Sequence, residues 1–167
     1  MQWLIAALIA GLSLSSVSQK PAPFLGQAHA SKESILVNFK SYNLSSSESI
    51  GLYGVEHYRF WDAHGYWGEY GYGALSGKRS GYLEGGIVVG YQWPFLNTRL
   101  LIGAGGGGGA AQGGGLMINP MVSLGYPITH DMVLGVETGY IHFMNGDISS
   151  ATIGIGATVM FWHLYVD

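Results

Sequence analysis

The segment Ser80–Trp93 alternates between apolar and polar positions, and this pattern limits what the chain can fold into. Its odd-numbered positions include Ile87 and Val89, whereas its even-numbered positions include Glu84, glycines and Gln92. Because successive side chains of a strand point to opposite faces, one face of this strand is apolar and the other is not. An apolar face turned to water would aggregate, whereas one turned to lipid is typical of a membrane β-barrel.

The composition supports the second interpretation. Only 10% of the 167 residues are charged, against about 25% in an average soluble domain, while 48% are hydrophobic and 28 are glycines. After the N-terminus no run is long and apolar enough for a spanning helix. The formal net charge of −3 predicts no nucleic-acid partner. The absence of cysteine excludes a disulfide scaffold and a thiolate metal site.

The N-terminus has the features of a secretory signal. Trp3 to Leu14 is an apolar run of suitable length, and Ser16-Val17-Ser18 provides a small-residue cleavage site. We therefore expect a signal peptide at residues 1–18, a linker at 19–31 and a membrane β-barrel at 32–167. An amphipathic or buried N-terminal helix is the alternative.

Eight segments after the linker carry strand patterns separated by turn residues. All but the first are at least nine residues long, which is enough to cross a bilayer when tilted. The predicted fold is all-β: an eight-stranded antiparallel up-and-down transmembrane β-barrel. We expect a bulge near Glu56–Tyr58, because the second strand has no single phase. The strands are expected at about Ser34–Lys40, Ser49–Trp61, Tyr66–Leu75, Ser80–Trp93, Thr98–Gly106, Leu116–Tyr126, Met132–Met144 and Ser150–Trp162.

Five charged residues fall on the phase that we assign to the lumen. An isolated Lys or Arg facing lipid at the midplane costs about 2–4 kcal/mol, so charges are expected inside. An eight-stranded barrel is just wide enough for side chains to fill it. The sequence therefore predicts a plugged lumen with an ion-pair network formed by Lys40, Glu69, Glu84, Arg99 and Glu137.

The strand series, the turn Tyr126–Asp131 followed by Met132–Val136, and the closing segment Gly154–Trp162 resemble the small outer-membrane β-barrel proteins of Gram-negative bacteria. The resemblance covers about Ser34 to Trp162. It implies an outer-membrane location, lipid and lipopolysaccharide as neighbours, and insertion by the barrel-assembly machinery. It implies no particular activity and leaves the oligomeric state open. Proteins of that family end on an aromatic residue. Here five residues follow Trp162, and Tyr165 is the aromatic residue that could take that role.

The segment around His142 is similar to the His-x-Ser-Asn motif of the lipid A deacylase barrels. Those enzymes use a Ser-His-Glu constellation on the lipid-facing wall, and the phase of the seventh strand turns His142 outward. Met144 stands at the nucleophile position, however, and the eighth strand contains no glutamate. A hydrolase needs nucleophile, base and orienting acid within hydrogen-bond reach. We therefore predict that the chain has no catalytic residue. If it has one, His142 is the candidate; otherwise His142 is a histidine at the membrane interface.

Other candidate sites have simpler interpretations. The run Gly103–Gly115 matches a nucleotide-binding glycine pattern but has no following helix and no Gly-Lys-Ser/Thr. His57, His64, His130 and His163 have no diagnostic metal-ligand spacing. Neither a cofactor nor a metal is predicted.

Lys78 and Arg79 lie in the turn between the third and fourth strands. Lys and Arg bind phosphate by charge-assisted hydrogen bonds, so these two residues are predicted to contact lipopolysaccharide. A solvated turn is the alternative. Three rival functions also stay open: a deacylase-like enzyme, a narrow channel or carrier, and a soluble barrel that binds an apolar ligand inside.

Overall fold

The computed structural model is a single antiparallel sheet closed into a barrel, in which each strand pairs with the next and β8 returns to β1. It describes residues 28–45, 48–75, 80–107, 114–145 and 149–166. The expected eight-stranded all-β fold is confirmed. The expected signal peptide lies outside the described residues. The strands are β1 (Ala28–Ser45), β2 (Glu48–Phe60), β3 (Gly65–Gly73), β4 (Tyr82–Gln92), β5 (Leu96–Gly107), β6 (Gly115–Pro127), β7 (Met132–Phe143) and β8 (Ser149–Val166).

Strand lengths differ around the barrel. β1 and β8, which meet at the closing seam, have 18 residues each, whereas β3 has nine. β1 begins at Ala28, inside the segment where the sequence predicts a linker. No helix in the described ranges is long and apolar enough to cross a membrane.

The β2–β3, β4–β5 and β6–β7 turns lie at the end of the barrel where β1 begins and β8 ends, which we call the terminal end; the opposite end is the far end. In the β2–β3 turn, the backbone N–H groups of Gly65 and His64 donate to the Asp62 carboxylate at 2.6 and 2.7 Å. These two bonds hold the pKa of the Asp62 carboxyl group below its usual value. Asp62 thus closes the turn as an Asx motif.

Alternation sorts the side chains into a polar, aromatic lumen and an apolar outer wall. In β4, Leu83, Ile87 and Val89 point outward and are exposed, while Glu84 and Val88 are buried in the lumen. This is the arrangement that the Ser80–Trp93 pattern predicts. The same outward apolar phase continues in the other strands, with Val37, Val55, Leu100, Val122, Val136 and Ile155 among its exposed members.

β3 has the opposite phase to the predicted one. Tyr66, Tyr70 and Tyr72 are buried in the lumen, and Glu69 lies on the outer wall. The prediction of Glu69 as a lumen residue is therefore wrong. The cause is the register with β2, which pairs Tyr70 with the inward Glu56.

β2 also differs from the prediction because it contains no bulge near Glu56–Tyr58. Its pairing with β1 and with β3 runs without interruption through these residues. One regular phase turns Glu56 and Tyr58 inward and Val55 and His57 outward. The irregularity in the β1–β2 ladder lies at its far end, between Asn43 and Ser45.

Inward glycines make room for the inward tyrosines of neighbouring strands. A Cβ atom at Gly54 would collide with the Tyr72 ring, and one at Gly90 would collide with the Tyr66 hydroxyl. The tyrosine side chains thus pack directly against glycine backbone inside the lumen.

Candidate functional site

The far-end half of the lumen holds a buried ion pair. The ammonium of Lys40 lies 2.8 Å from Oε1 of Glu84, and both side chains are fully buried. The Glu84 carboxylate also accepts hydrogen bonds from Tyr42 at 2.5 Å and Tyr82 at 3.0 Å. A buried carboxylate is tolerated when a cation and hydrogen-bond donors surround it, and Glu84 has both.

A second buried group lies nearer the terminal end and centres on Arg99. Its guanidinium pairs with Glu137 and lies 3.4 Å from Glu56. Asn38 donates to the other oxygen of Glu137 at 2.5 Å. Two hydroxyl groups, from Tyr58 and Tyr72, donate to the Glu56 carboxylate. Arg99 is thus held between two carboxylates by charge-assisted hydrogen bonding.

Four of the five predicted lumen residues are therefore brought together in two ion-pair groups. Glu69 is not among them, and Glu56 takes part instead. Sequence reasoning missed Glu56 because the second strand has no single phase in the sequence, so its inward residues could not be assigned. The inward phase of β2 becomes visible only when β2 is aligned with β1, where Leu36 faces Glu56.

These groups plug the barrel. A cavity of about 50 Å³ opens at the terminal end and is lined by Tyr58, Arg99 and Glu137 together with Ser34 and Ser123. A cavity of this size holds only a few water molecules. The Arg99–Glu137 pair lies at the wall of this cavity, so the lumen narrows to a packed, charged interior.

A patch of ionisable residues interrupts the apolar outer wall on β1, β2 and β3. His57 lies between two carboxylates: its Nε2 is 2.9 Å from Glu33 and its Nδ1 is 3.6 Å from Glu69. Arg59 lies 3.7 Å from Glu33 and 5.8 Å from the centre of the Trp67 ring. The Glu69 side chain is 76% exposed. Charged side chains on a lipid-facing wall are unfavourable, so this patch is exceptional.

A second outward group lies near the far end. His142 stands directly opposite Ser149 in the β7–β8 register, and its Nδ1 is 2.7 Å from the Ser149 hydroxyl oxygen. Both residues are exposed. The hydroxyl missing from position 144 is thus supplied by the next strand. Sequence reasoning looked for it along β7 and did not consider the partner across the hairpin.

Two further predicted features have different outcomes. Lys78 and Arg79 lie outside the described residues. Within the ranges that the structure describes, no group of three or more His, Cys, Asp or Glu side chains is arranged to hold a metal ion.

Comparison with solved structures identifies the architecture. The N-terminal β-barrel domain of Pseudomonas aeruginosa OprF superposes with a TM-score of 0.55 at 15% identity, covering 81% of this chain and 100% of that one. The chain is an eight-stranded antiparallel β-barrel. The barrel therefore shares a fold with that domain at an identity too low to carry function.

Two other barrels are similar at lower scores. Neisserial surface protein A has a TM-score of 0.47 and 13% identity over 81% of this chain and 99% of that one. Ail of Yersinia pestis, in complex with the heparin analogue sucrose octasulfate, has a TM-score of 0.47 and 15% identity over 79% of this chain and 98% of that one. No protein-family model matches the sequence. No curated protein sequence matches it either.

Proposed function

We propose that the chain is a small outer-membrane β-barrel protein with a filled polar lumen and a structural, envelope or surface-interaction role. One observation carries the proposal: the outer wall is apolar while fully buried charges such as Lys40 and Glu84 pair inside. A soluble carrier of apolar ligands would have the reverse polarity. In lipid, a closed sheet satisfies every backbone hydrogen bond without an edge.

The plugged interior argues against the channel as the main role. Arg99 with Glu56 and Glu137 fills the lumen with side chains that hold one another by ion pairs. Opening a continuous path requires separating buried charges, which is strongly unfavourable unless new partners are supplied. The expected role is therefore exercised by the outer surface and the loops.

The partners follow from that location. The outer wall would contact lipid and the lipid part of lipopolysaccharide. Lys78 and Arg79 are proposed to meet its phosphates. The C-terminal strand β8 is proposed as the segment that the barrel-assembly machinery handles during insertion.

Fractionation and gel migration test this function. We expect the protein in the outer-membrane fraction, with a migration that shifts on boiling because the folded barrel resists the detergent. Purified protein in planar bilayers is expected to show no stable conductance. Recovery in the soluble periplasmic fraction without detergent would contradict the membrane location, and a large stable conductance would contradict the plugged lumen.

The Ser149–His142 contact favours a second candidate function, hydrolysis of a lipid acyl ester at the outer leaflet. It supplies a nucleophile and a base, whereas no carboxylate among the described residues pairs with His142 to orient it. With its proton on Nε2, His142 accepts the Ser149 proton at Nδ1 as the serine oxygen attacks the ester carbonyl carbon. His142 then returns that proton to the departing alkoxide. Water hydrolyses the acyl-serine and restores both side chains.

Mass spectrometry of lipid A tests this candidate. Cells with the wild-type protein are expected to lack one acyl chain that is retained in cells carrying Ser149→Ala. Ser150→Ala is the matched control, because Ser150 is buried on the inner face and donates to the Ala151 carbonyl. Identical lipid A in cells with and without the wild-type protein would remove the enzyme.

A further inference from the structure

We propose that the outward faces of β2 and β3 form an interface with a second copy of this chain inside the membrane. The surface consists of His57 and Arg59 on β2 and of Trp67, Glu69 and Gly71 on β3, and we call it the β2–β3 patch. This inference rests on the proposed membrane location. It adds an oligomeric partner that the proposed function leaves open.

The outward face of β3 is unsuited to lipid. From the terminal end upward it presents Trp67, Glu69, Gly71 and Gly73, and Trp67 is the one large apolar side chain among these four. The neighbouring wall of β4 presents Leu83, Ile87, Val89 and Tyr91 instead. A strip with one charge and two glycines is more favourable when a protein surface covers it than when it contacts lipid.

Glu69 lies deep in this wall. It is the fifth of the nine residues of β3, and its partner in the β3–β4 register is the exposed Ile87. Its carboxylate is 3.6 Å from His57, yet most of the side chain is exposed. Ionisable residues at membrane depth that face outward indicate a functional surface, and the default expectation is a polar partner.

The patch is complementary to itself. Two copies inserted in the same direction are related by a two-fold axis perpendicular to the membrane, so β2 of one copy faces β3 of the other at the same depth. His57 and Glu69 are register partners, and so are Arg59 and Trp67. Across the axis, an imidazole therefore meets a carboxylate and a guanidinium meets an indole ring.

Gly71 allows the two walls to approach closely. A Cβ atom placed at Gly71 would have no heavy atom within 4 Å, so the surface above Glu69 is flat and open. Small residues at the contact point are typical of close packing between membrane segments. The flat strip lies next to the charged pairs, which gives the interface both close packing and directional contacts.

A second copy fits this patch better than a lipid headgroup does. A phosphate beside Arg59 would be repelled by the carboxylates of Glu33, 3.7 Å from Arg59, and of the exposed Glu69. The patch therefore needs a partner that places a cation and a carboxylate at the same depth in the membrane as His57 and Glu69. The same chain supplies that arrangement by symmetry.

Cysteine cross-linking in native outer membranes tests the interface. The chain has no cysteine, so Gly71→Cys is a unique reporter that fills open space. Val136→Cys, on the exposed outward face of β7, is the matched control. We expect that a short bis-maleimide links G71C into a dimer and leaves V136C monomeric. The proposal would be overturned if membrane-inserted G71C stays monomeric or cross-links no more than V136C. Cross-linking of G71C to a different protein would also overturn it.

Charge variants add a second readout. Glu69→Lys in the G71C background is expected to lose most of the dimer, because it places cations on both sides of the axis. Glu69→Gln in the same background removes the charge without adding a cation, and it is expected to weaken the dimer less than E69K does. Boiling-dependent migration checks that each variant is folded in the membrane. A soluble protein would refute the membrane location. A folded monomeric barrel would refute only the interface. Unchanged dimer with E69K would also overturn the proposal.

Discussion

The ammonium nitrogen of Lys40 lies 3.5 Å from the centre of the Tyr72 ring. The hydroxyl of the same tyrosine donates to Glu56. Tyr72 therefore joins the Lys40–Glu84 pair to the Arg99 group, and the lumen contains one connected network. Networks of this kind strengthen or fail together, because each member is buried and depends on its neighbours.

Removing one member of the Lys40–Glu84 pair should destabilise the barrel strongly. Lys40→Met leaves a buried carboxylate with tyrosine donors alone, and a loss of about 3–5 kcal/mol in unfolding free energy is expected. The double variant Lys40→Met, Glu84→Gln should recover much of this loss. Urea unfolding in lipid vesicles measures both, and additive losses in the double variant would contradict a coupled pair.

Tyr72→Phe should separate the two halves of the network while keeping the ring. The Glu56 carboxylate loses one donor and Asn38 loses an acceptor at 3.3 Å. The expected loss is about 1–3 kcal/mol. Tyr53→Phe on the exposed outer wall is the control, with an effect within about 0.5 kcal/mol. Equal effects at the two positions would show that the Tyr72 hydroxyl has no structural role.

Gly90→Ala should destabilise the barrel by about 1–3 kcal/mol, because the new methyl group meets the Tyr66 hydroxyl and the Thr98 backbone oxygen. Gly106→Ala is the matched control, since its nearest neighbour would be Gly114 at 3.7 Å, an ordinary contact. Unfolding midpoints of the two variants provide the comparison. A Gly90→Ala barrel as stable as wild type would mean that the tyrosine above it is free to move.

The β2–β3 turn should lose part of its stability in acid. The folded pKa of Asp62 is depressed by its two backbone hydrogen bonds, so its contribution is present above the unfolded pKa and disappears as the pH falls through the folded one. Asp62→Ala should therefore differ from wild type at neutral pH and approach it in acid. Urea midpoints at several pH values measure the difference, and a gap independent of pH would contradict this origin.

β3 and β4 illustrate what can be inferred from sequence. The β4 alternation contains Ile87 and Val89, whose side chains suit lipid and not a charged lumen, so its phase follows directly. Tyrosine in β3 has an apolar ring and a polar hydroxyl, so it suits either face. The face to which the β3 tyrosines point depends on whether glycines of the neighbouring strands lie beneath their rings. The register between the strands determines this, and it is not visible in the sequence of β3 alone.

The outward groups depend on register too. Ser149 and His142 meet because the β7–β8 hairpin pairs them, although seven positions separate them in sequence. A search confined to one strand finds Met144 beside His142 and no nucleophile. The sequence therefore supports the fold and four of the five charged residues that it places in the lumen, whereas contacts between strands require the structure.

The long seam between β1 and β8 has a consequence for how the barrel assembles. Every other strand pair is a local hairpin, whereas the seam joins residues more than one hundred positions apart and has the two longest strands. Contacts of such high sequence separation form late, because the loop entropy must be lost before they are made. The order of events is then a curved open sheet that closes in one final step. Substitutions along the seam should therefore speed the opening of the finished barrel more than they slow the formation of the hairpins.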